Sequence, residues 1–253
     1  MHRIVVKVGS NVLTRDDGGL DVTRMSSLVD QIAQLHRTGV EVLLVTSGAV
    51  ASGRGTLRPE HSLDSVEQRQ LYSAVGQVQL INRYSLLFRE WGILIGQVLT
   101  TKSHFESEVE YSNQRACMEV MLANGVIPVI NENDTVCVTE LMFTDNDELS
   151  GLVARMMEAD LLVILSNVDG LYSSYGQSGK VISVVHPGED VSSHIGSGRS
   201  SAGRGGMASK CGTAMEVSAH GIPVAIACGR RDNVLLDLVN NPESVPHTLF
   251  AVE

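Results

Sequence analysis

Two acid and amide clusters stand close together in this chain, Asn131-Glu132-Asn133-Asp134 and Asp145-Asn146-Asp147. The first follows the apolar, β-rich run Val126–Ile130. In the second, Asp145 or Asn146 is placed to cap a helix over 148–158 that carries Leu149, Val153 and Met156 at helical spacing. Carboxylates and amides beyond the end of a buried strand, and again at a helix N-terminus, mark the edge where an open α/β sheet takes its ligand. Two lysines complete the set. Lys7 interrupts the apolar strand Arg3–Val8, where an ammonium is costly unless an anion meets it. Lys210 closes Gly203-Arg204-Gly205-Gly206-Met207-Ala208-Ser209-Lys210, in which glycines lead into a helix. The positive end and free N–H groups of such a helix favour phosphate.

Acids in this pattern admit three chemistries. A magnesium cage is one, although Mg²⁺ in phosphoryl-transfer enzymes is often held mainly by nucleotide phosphates and water. Glycoside hydrolysis is another, but aromatic residues make up 4% of the chain and leave few sugar platforms. The third is recognition of a cationic or amino-bearing substrate, with one carboxylate orienting the nearby lysines. It is the reading that gives Lys7 and Lys210 their counter-charge. A Walker loop, a GxGxxG turn and a GxSxG elbow are all absent, and Ser47 has no histidine signal beside it. His36, His194 and His220 read as surface or helix-end residues, and Trp91 as a packing residue.

The elements that must position these residues alternate in type. Asp21 or Thr23 caps a helix with Met25, Leu28, Val29, Ile32 and Leu35 on one face and Gly39 at its end. Strand Glu41–Thr46 follows, so the first two strands are expected to be parallel, bringing Gly9-Ser10 and Ser47-Gly48 to one edge. Residues 54–66 read as irregular, 68–88 as a long or broken helix, 93–99 as a strand and 113–123 as a helix. Gly76 inside the long helix marks close packing, ligand approach or a subunit contact, and these stay open. Strand 161–165 ends in Ser166-Asn167, a further small polar terminus. Loops over 173–205, the Lys210 helix, strand 222–227 and a helix over 234–239 complete the chain. The expected architecture is a three-layer αβα sandwich around a mostly parallel sheet, in a single domain over 1–253.

A net charge of -10 argues against nonspecific nucleic-acid or membrane-surface binding while leaving room for a local basic nucleotide site. Four scattered cysteines, with no CxxC pair, fit a reduced cytoplasmic chain without zinc. The sequence has no visible signal peptide, and no apolar run reaches the length of a membrane span.

Lys7-Val8-Gly9-Ser10, Val45-Thr46-Ser47-Gly48-Ala49, Ala74-Val75-Gly76-Gln77, Pro128–Asp134, Asp145–Asp147 and Gly205–Lys210 together resemble the amino acid kinase family, whose fold is carbamate-kinase-like. The match runs in order from about residue 3 to 250. The two acid and amide clusters resemble members that act on glutamate; the lysine–glycine opening is shared more widely. The resemblance implies transfer of the ATP γ-phosphoryl group to the side-chain carboxylate of L-glutamate, the step that opens proline biosynthesis. It implies that Lys7 and Lys210 neutralise the transferring phosphoryl and that Asp147 holds them. Ser47, Asp134 and Asn146 would bind glutamate, supported by Asn131 and Asp145, with Asp134 suited to the α-ammonium. Ser166, Asn167 and Arg204–Lys210, including Gly205, Gly206, Met207, Ala208 and Ser209, would contact ATP with its Mg²⁺. The part before about residue 160 would serve mainly glutamate and the rest mainly ATP, with Lys7 also contacting ATP. Homo-oligomers, as dimer or tetramer, are also implied. Arg204 and Asn167 stand where relatives often carry threonine and aspartate, and the C-terminal PUA-type domain of many members is not expected here. Same-fold alternatives are a kinase for aspartate or N-acetylglutamate and a non-catalytic amino-acid or nucleotide sensor.

Overall fold

β1 (Arg3–Val8) divides the interior in two, because successive side chains of a strand face opposite sides. Ile4, Val6 and Val8 enter one core and Val5 the other; Lys7 shares the Val5 side. This computed structural model describes residues 1–136, 143, 145–174, 179–195 and 206–253; Cys137, Gly203, Arg204 and Gly205 lie outside the described residues.

After β1 come α1 (Ser10–Leu13), α2 (Val22–Arg37), β2 (Glu41–Thr46), α3 (Ala49–Thr56) and α4 (Ser65–Glu90). The middle of the chain supplies β3 (Leu94–Thr100), α5 (Ser103–Glu106), α6 (Glu108–Ala123), β4 (Val126–Glu132) and α7 (Asn146–Met156). The last part supplies β5 (Leu161–Ser166), β6 (Val184–Val185), α8 (Met207–Ala219), β7 (Val224–Cys228), α9 (Val234–Asn240) and β8 (His247–Phe250). Among the described residues the strands form one eight-stranded sheet in the order β3-β4-β2-β1-β5-β7-β8-β6. All the pairings are parallel except β7 with β8. Side chains of α2, α4 and α9 fill the core on the Ile4 side, and those of α6, α7 and α8 the core on the Val5 side. The chain is therefore a three-layer α/β structure with a mostly parallel sheet. No described helix is long and apolar enough to cross a membrane.

Local chemistry sets the helix starts. Asp21 caps α2 by accepting from the Arg24 N–H at 2.9 Å, and Gly39 follows its end with φ 89°. Asp64 and Glu67 close a capping box on α4. Ser107 caps α6, which therefore begins at Glu108, earlier than the polar 100–112 stretch implied.

Gly76 does not break α4. It lies against α3, where a β-carbon would meet the Ala49 carbonyl oxygen at 1.8 Å. Gly53 reciprocates, with a β-carbon placed 1.9 Å from the Tyr72 carbonyl oxygen. Close helix packing is thus what the glycine serves. The same contact accounts for α3, whose Ala-Ser-Gly-Arg-Gly composition has weak helix propensity on its own. β6 and β8, two and four residues long, were not expected; they turn the last part of the sheet back through the antiparallel β7–β8 pair.

Candidate active site

Parallel pairing brings the C-terminal ends of β1, β2, β4 and β5 to one edge, where they open into a cleft of 1250 Å³. Lys7, Ser47, Asn131, Asp134, Asp145, Asn146, Ser166, Asn167, Gly206, Met207 and Lys210 all line it. Residues separated by more than two hundred positions in the chain therefore share one wall. Ala208 and Ser209 stand in the first turn of α8 and are not part of the lining.

Beneath the cleft lies Asp147, fully buried at 0% exposure. Lys7 Nζ approaches its Oδ1 at 2.5 Å, and Lys210 Nζ donates to Oδ2 at 2.9 Å. One carboxylate thus holds two ammonium groups from opposite ends of the chain, each almost buried. Burial pushes the Asp147 carboxyl upward, but Lys7 and Lys210 overcome it and hold the group below the ordinary carboxylate range. Two positive charges against one negative leave the trio with a net positive charge, which a phosphate can take up.

Backbone geometry fixes this trio. Asp145 caps α7 through one oxygen, accepting from the Asp147 and Glu148 N–H groups at 2.8 and 3.2 Å. Its second oxygen, Oδ2, is buried with no hydrogen-bond partner among the described residues, an acceptor that favours an incoming donor. At Gly9 a β-carbon would lie 3.2 Å from the Leu165 carbonyl oxygen, so the glycine lets the end of β1 pass close to β5. Gly48 takes the left-handed φ of 104° that turns β2 into α3. The N-termini of α3, α7 and α8 all open on this edge and add to its preference for anions.

An amide network lines the neighbouring wall. Asn146 Nδ2 donates toward the Thr46 carbonyl at 2.7 Å, Asn131 Oδ1 at 2.9 Å and Ser47 Oγ at 3.0 Å. Asn131 Nδ2 in turn donates to Gln77 of α4 at 2.9 Å. Below Ser47, the hydroxyls of Thr46 and Tyr84 meet at 2.9 Å, and burial pushes the Tyr84 phenol well above its usual range. Asp134 meets Arg69 of α4, whose Nε donates to Oδ1 at 2.6 Å. Asp169, just beyond β5, is gripped by both Nε and Nη2 of Arg231, and those bonds hold its carboxyl below the usual range.

Sequence reading missed Arg69, Tyr84 and the Asp169–Arg231 pair. Arg69, Ser73, Gln77, Leu80 and Tyr84 follow the three- and four-residue spacing of one helix side. Polar residues interrupting that stripe were the available signal. Arg54, Arg58 and Arg230 also line the cleft, a local basic lining on an acidic chain. Among the described residues no group of three or more His, Cys, Asp or Glu side chains is placed to hold a metal ion.

The chain is similar to known proteins along nearly its whole length. Residues 2–228 match the amino acid kinase family. A glutamate 5-kinase of Bacteroides thetaiotaomicron is 59% identical over 250 residues, covering 98% of this chain and 69% of that protein. A glutamate 5-kinase of Chlorobaculum tepidum is 49% identical, covering 92% of this chain and 65% of its own length. For a glutamate 5-kinase of Symbiobacterium thermophilum the identity is 42%, over 99% of this chain and 96% of the relative. The chain belongs to the amino acid kinase family.

Proposed function

We infer that this chain is a kinase that transfers the γ-phosphoryl group of ATP to the side-chain carboxylate of L-glutamate. The product is L-glutamyl 5-phosphate, and the reaction opens proline biosynthesis. The observation that carries the reading is the convergence of Lys7 and Lys210 on buried Asp147, beside an acid and amide pocket. Identity to glutamate 5-kinases over nearly the whole chain supports the same substrate.

The chemistry asks little beyond placement and charge. A side-chain carboxylate is ionised at neutral pH, so the attacking oxygen needs no general base. Charge on the transferring phosphoryl oxygens must be offset in a site poor in water, and preorganised ammonium groups do this without rearrangement. Lys7 and Lys210 take that role and Asp147 fixes their positions. Ser47, Asn146 and Asp134 bind glutamate, with Asn131 and Asp145 in support; Asp134 receives the α-ammonium. Ser166, Asn167 and the start of α8 receive the nucleotide, as do Arg204 and Gly205, which lie outside the described residues. Mg²⁺ would be held mainly by the phosphates of the bound nucleotide, which suits a site whose central carboxylate is already engaged by two lysines.

In this reading the chain works as a single domain, with residues before about 160 serving mainly glutamate and those after it mainly ATP, Lys7 being the early residue that reaches the nucleotide. The enzyme acts in the cytoplasm as a homo-oligomer. Exposed Leu94 on edge strand β3 supports self-association, as do exposed Val78 and Leu86 on α4, which packs on β3, and exposed Val109 and Val120 on α6, which packs on the neighbouring β4.

An ADP-release assay with glutamate, aspartate and N-acetylglutamate tests the substrate. Glutamate is expected to be used most efficiently. Faster turnover of N-acetylglutamate would overturn the assignment, because that substrate has no free ammonium for Asp134. Turnover unchanged in Lys210→Ala would show that the activity does not come from this site.

A further inference from the structure

The family resemblance leaves α4 without a role in substrate recognition, yet one side of α4 touches the substrate wall at three levels. Arg69 reaches Glu132 and Asp134, Gln77 reaches Asn131, and Tyr84 reaches Thr46. The Arg69 contacts are the most specific. Its Nη2 donates to Glu132 Oε2 at 2.7 Å, while both Nε and Nη2 meet Asp134 at the same oxygen, Oδ1. Glu132 is bound at its other oxygen as well, since Oε1 accepts from the Phe143 N–H at 3.0 Å. Gln70, the next residue of α4, donates to the Thr135 carbonyl at 2.9 Å and ties the helix to the chain just after Asp134.

We propose that Arg69 is a positioning residue that sets the preference of the site for a free amino acid, acting through Asp134. The proposal rests on the reading that Asp134 receives the substrate α-ammonium. Two carboxylates at the end of one strand repel each other and drift apart unless a cation stands between them. The planar guanidinium engages both in a fixed orientation, which a flexible point charge does not reproduce. With Oδ1 of Asp134 occupied by Arg69, Oδ2 is the oxygen left to meet an ammonium. Arg69 lines the cleft together with Glu132 and Asp134, so its effect is exerted at the pocket itself.

Steady-state kinetics on Arg69→Gln, Arg69→Lys, Asp134→Asn and the double variant Arg69→Gln/Asp134→Asn test this, with glutamate and its deamino analogue glutarate as substrates. Loss of a charged hydrogen-bonding partner corresponds to about 10- to 100-fold in KM for glutamate for Arg69→Gln, with kcat and the KM for ATP nearly unchanged. Arg69→Lys keeps the charge without the fork, so its KM is expected to fall between wild type and Arg69→Gln. Both Arg69→Gln and Asp134→Asn are expected to narrow the preference for glutamate over glutarate, which general loosening of the fold would not do. The double variant is expected to be no worse than Asp134→Asn alone. Multiplying effects would overturn the proposal, as would an unchanged KM in Arg69→Gln while Asp134→Asn raises it. An unchanged KM in Asp134→Asn would instead overturn the reading of Asp134, and the proposal with it. Should Arg69→Gln not fold, Arg69→Lys decides: a raised KM for glutamate supports the proposal and a wild-type value overturns it.

Discussion

At the scale of single residues, Asp147 carries two loads, since it positions the cations of the site and is itself a buried charge. Removing either lysine is expected to lower kcat by about 10²- to 10³-fold, the usual effect of losing one preorganised group that stabilises transition-state charge. Lys7→Ala and Lys210→Ala in the ADP-release assay check this; a kcat within a few-fold of wild type would place the chemistry elsewhere. Asp147→Asn removes the counter-charge from two nearly buried ammonium groups, and breaking a buried pair in this way costs about 3–5 kcal/mol. The acid response has a defined sign. The folded-state Asp147 carboxyl is depressed, so its contribution is complete above the unfolded carboxylate value near 3.9 and is lost as pH falls through the folded value. Asp169 with Arg231, Asp160 with the Arg3 and His2 N–H groups, and Glu119 with Arg3 are depressed too and act in the same direction. Urea midpoints are therefore expected to fall below about pH 4, and less steeply in Asp147→Asn. An identical acid limb in that variant would contradict the depressed value.

At the scale of elements, what the sequence disclosed follows from how local each signal is. Lys7 stood out because a charge inside a continuous apolar strand breaks the run, and Asp145 because a cap is a short-range contact. Arg69 was hidden because a charge near the start of a helix ordinarily faces water; only the fold brings Asp134 to it, across 65 residues. α3 was hidden because its stability comes from α4 and not from its own composition. β8 has only four residues and pairs antiparallel with a strand that the sequence pattern presented as the last. The α3–α4 contact gives a prediction of opposite signs at two helix glycines. Gly76→Ala places a β-carbon 1.8 Å from backbone, so the helices must separate, at a cost of about 1–3 kcal/mol or more. Gly212→Ala, at an exposed position of α8, meets nothing within 4 Å and is expected to stabilise by up to about 1 kcal/mol. Denaturant midpoints of the two variants check both signs; a stabilised Gly76→Ala would refute the close crossing.

At the scale of the whole molecule, the two ends of the strands do different work. The N-terminal ends are tied by Arg3, whose two Nη atoms meet the Glu119 carboxylate at 2.8 Å while Nε meets Glu41 at 2.8 Å. The C-terminal ends are left open as the cleft. Among the described residues no strand pairs with the outer edge of β3, and Leu94 is 69% exposed there. An unpaired edge strand with exposed apolar neighbours is a surface on which chains associate unless charge prevents it. Val109 and Val120, 71% and 63% exposed, project from one side of α6, being about 20° apart at 3.6 residues per turn. Light scattering coupled to gel filtration is expected to give a mass of at least twice that of one chain. Introducing lysine at both Leu94 and Val120 is expected to shift the protein to monomer, because desolvating a charge at the centre of an apolar contact outweighs what the contact returns. The cleft opens at the strand ends and not at this edge, so glutamate and ATP turnover per chain should survive in the monomer if each chain builds its site alone. A monomeric wild type would remove self-association from the proposed function, whereas an oligomer unmoved by both lysines would relocate the interface to another face.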